Sequence, residues 1–170
     1  MVVQGNLLIA RLQESSAREF EEVLVCCRDN ALVYRHFADR ILCEARPDLG
    51  PLVGLAALLS ATQTPLLAVL PCDQLELSKD WLERLSAGLC EGETGVVFSN
   101  EGRHTPIGLW RTHSARRLVY GLIEDGARAL SPLVSAPSVS MIEDQSAGVD
   151  ADTVDDLRQW SGLDGIGATT

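Results

Sequence analysis

Apolar positions along the chain switch repeatedly between helical spacing and short continuous runs. NLLIARLQESSAREF, residues 6–20, sets Leu8, Leu12 and Phe20 near helical spacing behind a capping Asn6, which predicts an amphipathic helix. EVLVCC (22–27) predicts a strand, NALVYRHF (30–37) a helix on Leu32, Tyr34 and Phe37, and DRILCEARPDLG (39–50) a strand running into a turn. GPLVGLAALLSAT (50–62) predicts a helix with Pro51 in its first turn, where a missing N–H costs nothing. PLLAVLP (65–71) predicts a strand buried on both faces. LSKDWLERLSAGL (77–89) predicts a helix with Ser78 as N-cap and Trp81, Leu82 and Leu85 facing inward. GVVFSN (95–100) and HTPIGLWR (104–111) predict strands, and HSARRLVYGLIEDG (113–126) a helix ending at Gly126. ARALSPLVSA (127–136) predicts a short helix cut by Pro132, and SVSMIE (138–143) a strand. TVDDLRQW (153–160) predicts a last helix, with Thr153 as cap and Asp155 and Asp156 at its positive end.

Strands alternating with helices predict an α/β fold of three layers, with a mostly parallel sheet and helices on both faces. In such sheets ligands sit beyond the carboxyl ends of the strands. The expected organisation is one domain over 1–162 and a frayed tail over 163–170. With 46% hydrophobic and 22% charged residues, the chain can build a core and is not a disordered polymer. Its formal net charge of −10 argues against a nucleic-acid groove or an anionic membrane surface. A small phosphorylated ligand is compatible with that field, because a local loop and a metal can overcome it. Five cysteines, with no CxxC spacing, point to neither a disulfide framework nor a zinc site. No signal peptide is visible after Met1, and no apolar run is long enough to span a membrane, so the expected setting is the cytoplasm.

Within TPLLAVLPCDQLEL, 64–77, the apolar run ends in Pro71-Cys72-Asp73. A carboxylate leaving a buried strand is either a turn or capping residue or a ligand for Mg²⁺. One well-placed Asp is enough for the second role, since Mg²⁺ takes one or two carboxylates plus substrate phosphates and water. Without the metal, Asp73 would repel a triphosphate, by about 4 kcal/mol for unit charges 4 Å apart at an effective dielectric of 20. His104, in RHTPIGLW, has no evident paired base or nucleophile and reads as structural or exposed.

RPDLGPLVGLAALL, PLLAVLPCDQLEL, RHTPIGLWR and VDADTVDDL occur in that order between Gly5 and Leu157, and the sequence resembles the molybdenum cofactor guanylyltransferases. Most specific are the Gly-Pro-Leu-x-Gly turn, Gly50 to Gly54, and the later Cys72-Asp73. The resemblance implies a Rossmann-like nucleotidyltransferase that transfers GMP from GTP to molybdopterin, releases pyrophosphate and uses Mg²⁺. It implies Asp73 as metal ligand and catalytic residue. Cys27, Glu44, Gly54 and Asp73 fall at nucleotide-contacting positions, and Asp150 and Asp152 at the molybdopterin end. Cys27 stands where the family usually has Asn, and a thiol does not reproduce an amide's donor and acceptor. Gly54 also admits a reading as a helix-packing glycine, and Asp150 and Asp152 read equally as caps of the last helix. Leu75 replaces a proline usual after the metal Asp. Molybdenum cofactor biosynthesis or acceptor proteins are the implied protein partners.

The family also opens with a strand, a Gly-rich phosphate loop and a Lys, and no such loop occurs in these 170 residues. The expectation is therefore a central strand absent from the sheet, exposed strand edges, marginal stability and no guanylyl transfer from these residues alone. Met1 would then be internal to a longer product, or the chain a shortened relative. The alternatives are a non-catalytic relative that binds a partner protein or molybdopterin, and a sibling nucleotidyltransferase with another base or acceptor.

Overall fold

The computed structural model describes residues 2–3, 6–7, 20–28, 31–43, 50–74 and 76–148. Its strands are β1 (Val2–Val3), β2 (Asn6–Leu7), β3 (Leu24–Cys27), β4 (Arg40–Cys43), β5 (Leu66–Val69), β6 (Gly95–Asn100), β7 (Arg103–Arg111) and β8 (Val139–Glu143). Its helices are α1 (Ala31–Tyr34), α2 (Pro51–Ala61), α3 (Trp81–Gly88), α4 (Thr112–Glu124) and α5 (Ser131–Val134). The larger sheet has the order β5-β7-β6-β8. β8 runs parallel to β6, and β7 runs antiparallel to both β5 and β6. The carboxyl ends of β5, β6 and β8 therefore share one edge. β3 and β4 form a separate parallel pair, Leu24 opposite Arg40 and Cys27 opposite Cys43. No strand among the described residues joins β3 to β5.

Helices cover both faces of the larger sheet. On one face α2, α4 and α5 bury Leu52, Leu59, Ala115, Val119 and Leu133 against Val97 and Trp110. On the other, Trp81 and Leu85 of α3 pack on Val96, Phe98, Ile107 and Leu109. β6 is thus enclosed on both sides, which is why Val96, Val97 and Phe98 follow one another with no polar residue between them. α2 also packs on β3, so one helix spans the two sheets. Arg40 of β4 donates to the Ala61 carbonyl at 3.3 Å and pairs with Glu22.

Local chemistry explains the ends of α2. Gly50 has φ 81°, in the left-handed region, and a Cβ there would stand 2.7 Å from the Arg128 carbonyl oxygen. Pro51 follows in the first turn. At the other end Thr62 Oγ1 donates to Leu58 O at 2.8 Å, and the Arg116 guanidinium donates to the Leu59 and Thr62 carbonyls. The β6–β7 turn uses two residues with positive φ, Glu101 at 49° and Gly102 at 73°, as tight hairpins require.

β6 and β7 do not stay in step. Val97 pairs with Gly108, but Ser99 pairs with His104. β7 therefore carries two extra residues in a bulge that contains Pro106, whose missing N–H is harmless there. Thr105 Oγ1 repairs the ladder by donating to Phe98 O at 3.0 Å.

Four local expectations change. Asn6–Leu7 pairs with Val2–Val3 as a strand rather than opening a helix; the rest of that segment through residue 19 lies outside the described residues. Ser78 does not cap α3: Asp80 precedes the helix, and Ser78 Oγ is drawn to Asp144 at 3.3 Å. Pro132 opens α5 instead of cutting it, since its fixed φ suits a first turn. β5 is only half-buried, with Leu66 41% exposed, because it is the outermost strand of its sheet. The predicted last helix, 153–160, lies outside the described residues.

Candidate functional site

β5 ends at Val69, and the chain turns through Pro71, Cys72 and Asp73, with the Gln74 N–H 3.5 Å from the Pro71 carbonyl. Asp73 is half-buried at the carboxyl-end edge of the sheet. Its neighbour Cys72 reaches solvent, yet burial, and next the Asp73 charge, push its thiol pKa up. A thiol held neutral is a poor soft-metal ligand, so the donor this turn offers is the hard oxygen of Asp73. That donor fits magnesium, which needs one or two carboxylates and takes its other ligands from phosphates and water. Among the described residues no three His, Cys, Asp or Glu side chains gather as a metal cage.

The same edge carries a second, denser group of polar residues at the end of β8. Asp144 is 6% exposed. Its Oδ1 accepts from the Ser146 N–H at 2.8 Å and Ser146 Oγ at 2.6 Å, and its Oδ2 accepts from Ser78 Oγ and Arg84. Burial opposes ionisation, but these donors outweigh it and hold the Asp144 carboxyl below its usual range. Arg84 also donates to the Glu143 carbonyl at 2.9 Å and lies over the Phe98 ring, 5.1 Å from its centre. Glu143 accepts from Ser99 Oγ at 2.7 Å and from the Glu101 N–H at 2.6 Å, tying β8 to the hairpin turn. Asn100 and Gln74 reach the turn that follows, over 144–148.

The other predicted residues are dispersed. Gly54 is buried within α2. Cys27 ends β3 on the smaller sheet, part-buried, so it and Asp73 stand on different sheets. Glu44, Asp150, Asp152 and Leu75 lie outside the described residues. None of the five cysteines, all described, is in a disulfide. His104 is exposed, 3.4 Å from Ser135 Oγ, and lines a groove of about 420 Å³ with Arg103, Pro106, Leu130 and Val134. The sequence pattern does not single out Gln74, Asn100, Arg84 or Asp144, each of which has a partner 45 or more residues away.

The family model for the MobA-like NTP transferase domain matches residues 1–138. The chain belongs to that family. Among curated relatives, a molybdenum cofactor guanylyltransferase from Shewanella sp. (strain MR-4) is 26% identical over 130 residues, which is 75% of this chain and 66% of the relative. The chain thus spans just under two thirds of that protein's length. A probable molybdenum cofactor guanylyltransferase from Haloferax mediterranei is 27% identical over 94% of this chain and 82% of its own. Among solved structures, molybdopterin-guanine dinucleotide biosynthesis protein A from Archaeoglobus fulgidus superposes with a TM-score of 0.75 at 19% identity, covering 96% of this chain and 88% of that one. The 2-C-methyl-D-erythritol 4-phosphate cytidylyltransferase from Thermus thermophilus gives 0.72 at 17% identity, covering 95% and 91%. These likenesses establish the three-layer, Rossmann-like α/β fold of the nucleotidyltransferases. No helix among the described residues is long and apolar enough to cross a membrane.

Proposed function

We propose that the chain is a nucleotidyltransferase domain of molybdenum cofactor biosynthesis, with GTP as donor and molybdopterin as acceptor. The observation that carries this reading is Asp73, half-buried where β5 leaves the sheet, inside the segment that matches the MobA-like family. In the proposed reaction an oxygen of the molybdopterin phosphate forms a bond to the α-phosphorus of GTP. The bond from that phosphorus to the bridging oxygen breaks, and pyrophosphate leaves. Asp73 would hold magnesium, which would supply positive charge against the triphosphate. The Pro71–Gln74 turn carries Asp73 at the end of β5, and Asp150 and Asp152 are the residues proposed to bind the acceptor. Cys27, Glu44 and Gly54 contact the nucleotide.

Because no Gly-rich phosphate loop occurs in these 170 residues, they should not complete the transfer, and the Mg·GTP they take up should be held through Asp73. The test is Mn²⁺ binding in the presence of GTP, read by electron paramagnetic resonance. The wild-type chain should take up Mn²⁺ only with GTP, and Asp73→Ala should lose it while keeping its circular dichroism. Unchanged uptake by Asp73→Ala would remove the metal assignment. Uptake driven by CTP in place of GTP would favour the sibling with another base. Mg²⁺-dependent pyrophosphate release from GTP and molybdopterin by the 170 residues would overturn the expected lack of turnover.

A further inference from the structure

Gln74 follows Asp73 directly and is 1% exposed. Its Nε2 donates to the Glu76 carbonyl at 2.5 Å and to the Ser146 carbonyl at 3.1 Å. Both partners are acceptors only, which fixes the amide with its NH2 toward them. Its Oε1 is buried and meets no donor among the described residues. An unmet buried acceptor is unfavourable, so packing alone does not call for an amide here. The two donated bonds do.

The Ser146 carbonyl belongs to the turn over 144–148. Asn100 Nδ2 donates to the carbonyls on either side, Gln145 at 3.2 Å and Ala147 at 2.9 Å. Two side-chain amides therefore hold three consecutive carbonyls, while Asp144 grips Ser146 within the turn. Asp150 lies two residues past Gly148. Gln74 thus joins the Asp73 turn to the segment that leads to Asp150 and Asp152.

We infer that Gln74 is a positioning residue, whose amide ties the backbone turn that carries Asp73 to the 144–148 turn and so fixes the place from which the neighbouring Asp73 carboxylate meets a divalent ion. The inference rests on the reading that Asp73 holds that ion. Mn²⁺ titration with GTP on the whole chain tests it, comparing wild type, Gln74→Met and Arg116→Ala. Arg116 serves as a stability control, since its bonds are made to the carbonyl end of α2. Gln74→Met should weaken Mn²⁺ binding about tenfold, as loss of a ligand's supporting bonds does. Arg116→Ala should lower Tm and leave Mn²⁺ affinity at the wild-type value. Wild-type affinity in Gln74→Met overturns the inference, as does equal weakening in both variants. If Gln74→Met does not fold, the wild-type protein decides. The Gln74 side-chain NH2 resonances should shift, and their hydrogen exchange slow, as Mg·GTP saturates; resonances that do not move overturn the inference. A wild-type chain that takes up no Mn²⁺ with GTP refutes the Asp73 reading itself.

Discussion

Asp144 stays charged inside the protein because its oxygens are met from several directions. Burial works against the charge, and bonds from Ser146, then Arg84 and Ser78, overcome it. Its folded pKa therefore lies under its unfolded one. The stability it contributes is complete above the unfolded value of about 3.9 and is lost as pH falls through the lower folded value. Asp144→Asn should flatten the acid limb of stability, measured by urea unfolding from about pH 5 down to about pH 2. A slope equal to wild type would show that the carboxylate is not part of the acid response. Asp73 was legible from sequence because a carboxylate at the end of an apolar run is a local signal. Asp144 and Gln74 were not, because their long-range partners, Arg84 for the first and Ser146 for the second, stand 60 and 72 residues away and only the fold brings them near.

Among the elements, α2 shows how much of a helix is written locally. Gly50 and Pro51 announce its start, and the structure keeps both signals. Its end depends on Arg116, from another helix, which no local pattern reveals. Arg116→Ala should cost about 1–3 kcal/mol in urea unfolding, the usual cost of charged hydrogen bonds to carbonyls that then lose their donor. The same contrast explains Ser78. Its spacing before the apolar stripe of α3 marks a cap, but Asp144, 66 residues on, takes the hydroxyl. In β6, Gly95 lies under the Trp110 ring, and a Cβ there would come within 2.3 Å of it. Gly95→Ala should therefore destabilise by about 1–3 kcal/mol through overpacking, which differential scanning calorimetry would detect as a lower Tm. Neither neighbour in sequence marks this glycine; the antiparallel pairing of Gly95 with Trp110 does.

At the scale of the whole molecule, the alternation of apolar runs and amphipathic segments identified the layers and the covered faces. It did not show that β7 runs against its neighbours, because an apolar strand reads alike in either direction. The described strands part into three sheets, β1-β2, β3-β4 and β5-β7-β6-β8, and α2 packs on both of the last two. The mismatch between β6 and β7 bears on how this fold tolerates changes of length. The excess in β7 is two residues, an even number, so Ile107 and Leu109 still meet the α3 layer while His104 keeps to the opposite side. Excising a pair of residues there would preserve inside and outside along the whole hairpin. Excising one would turn the end of β7 over, carrying the imidazole to the wrong layer and swapping it with a guanidinium.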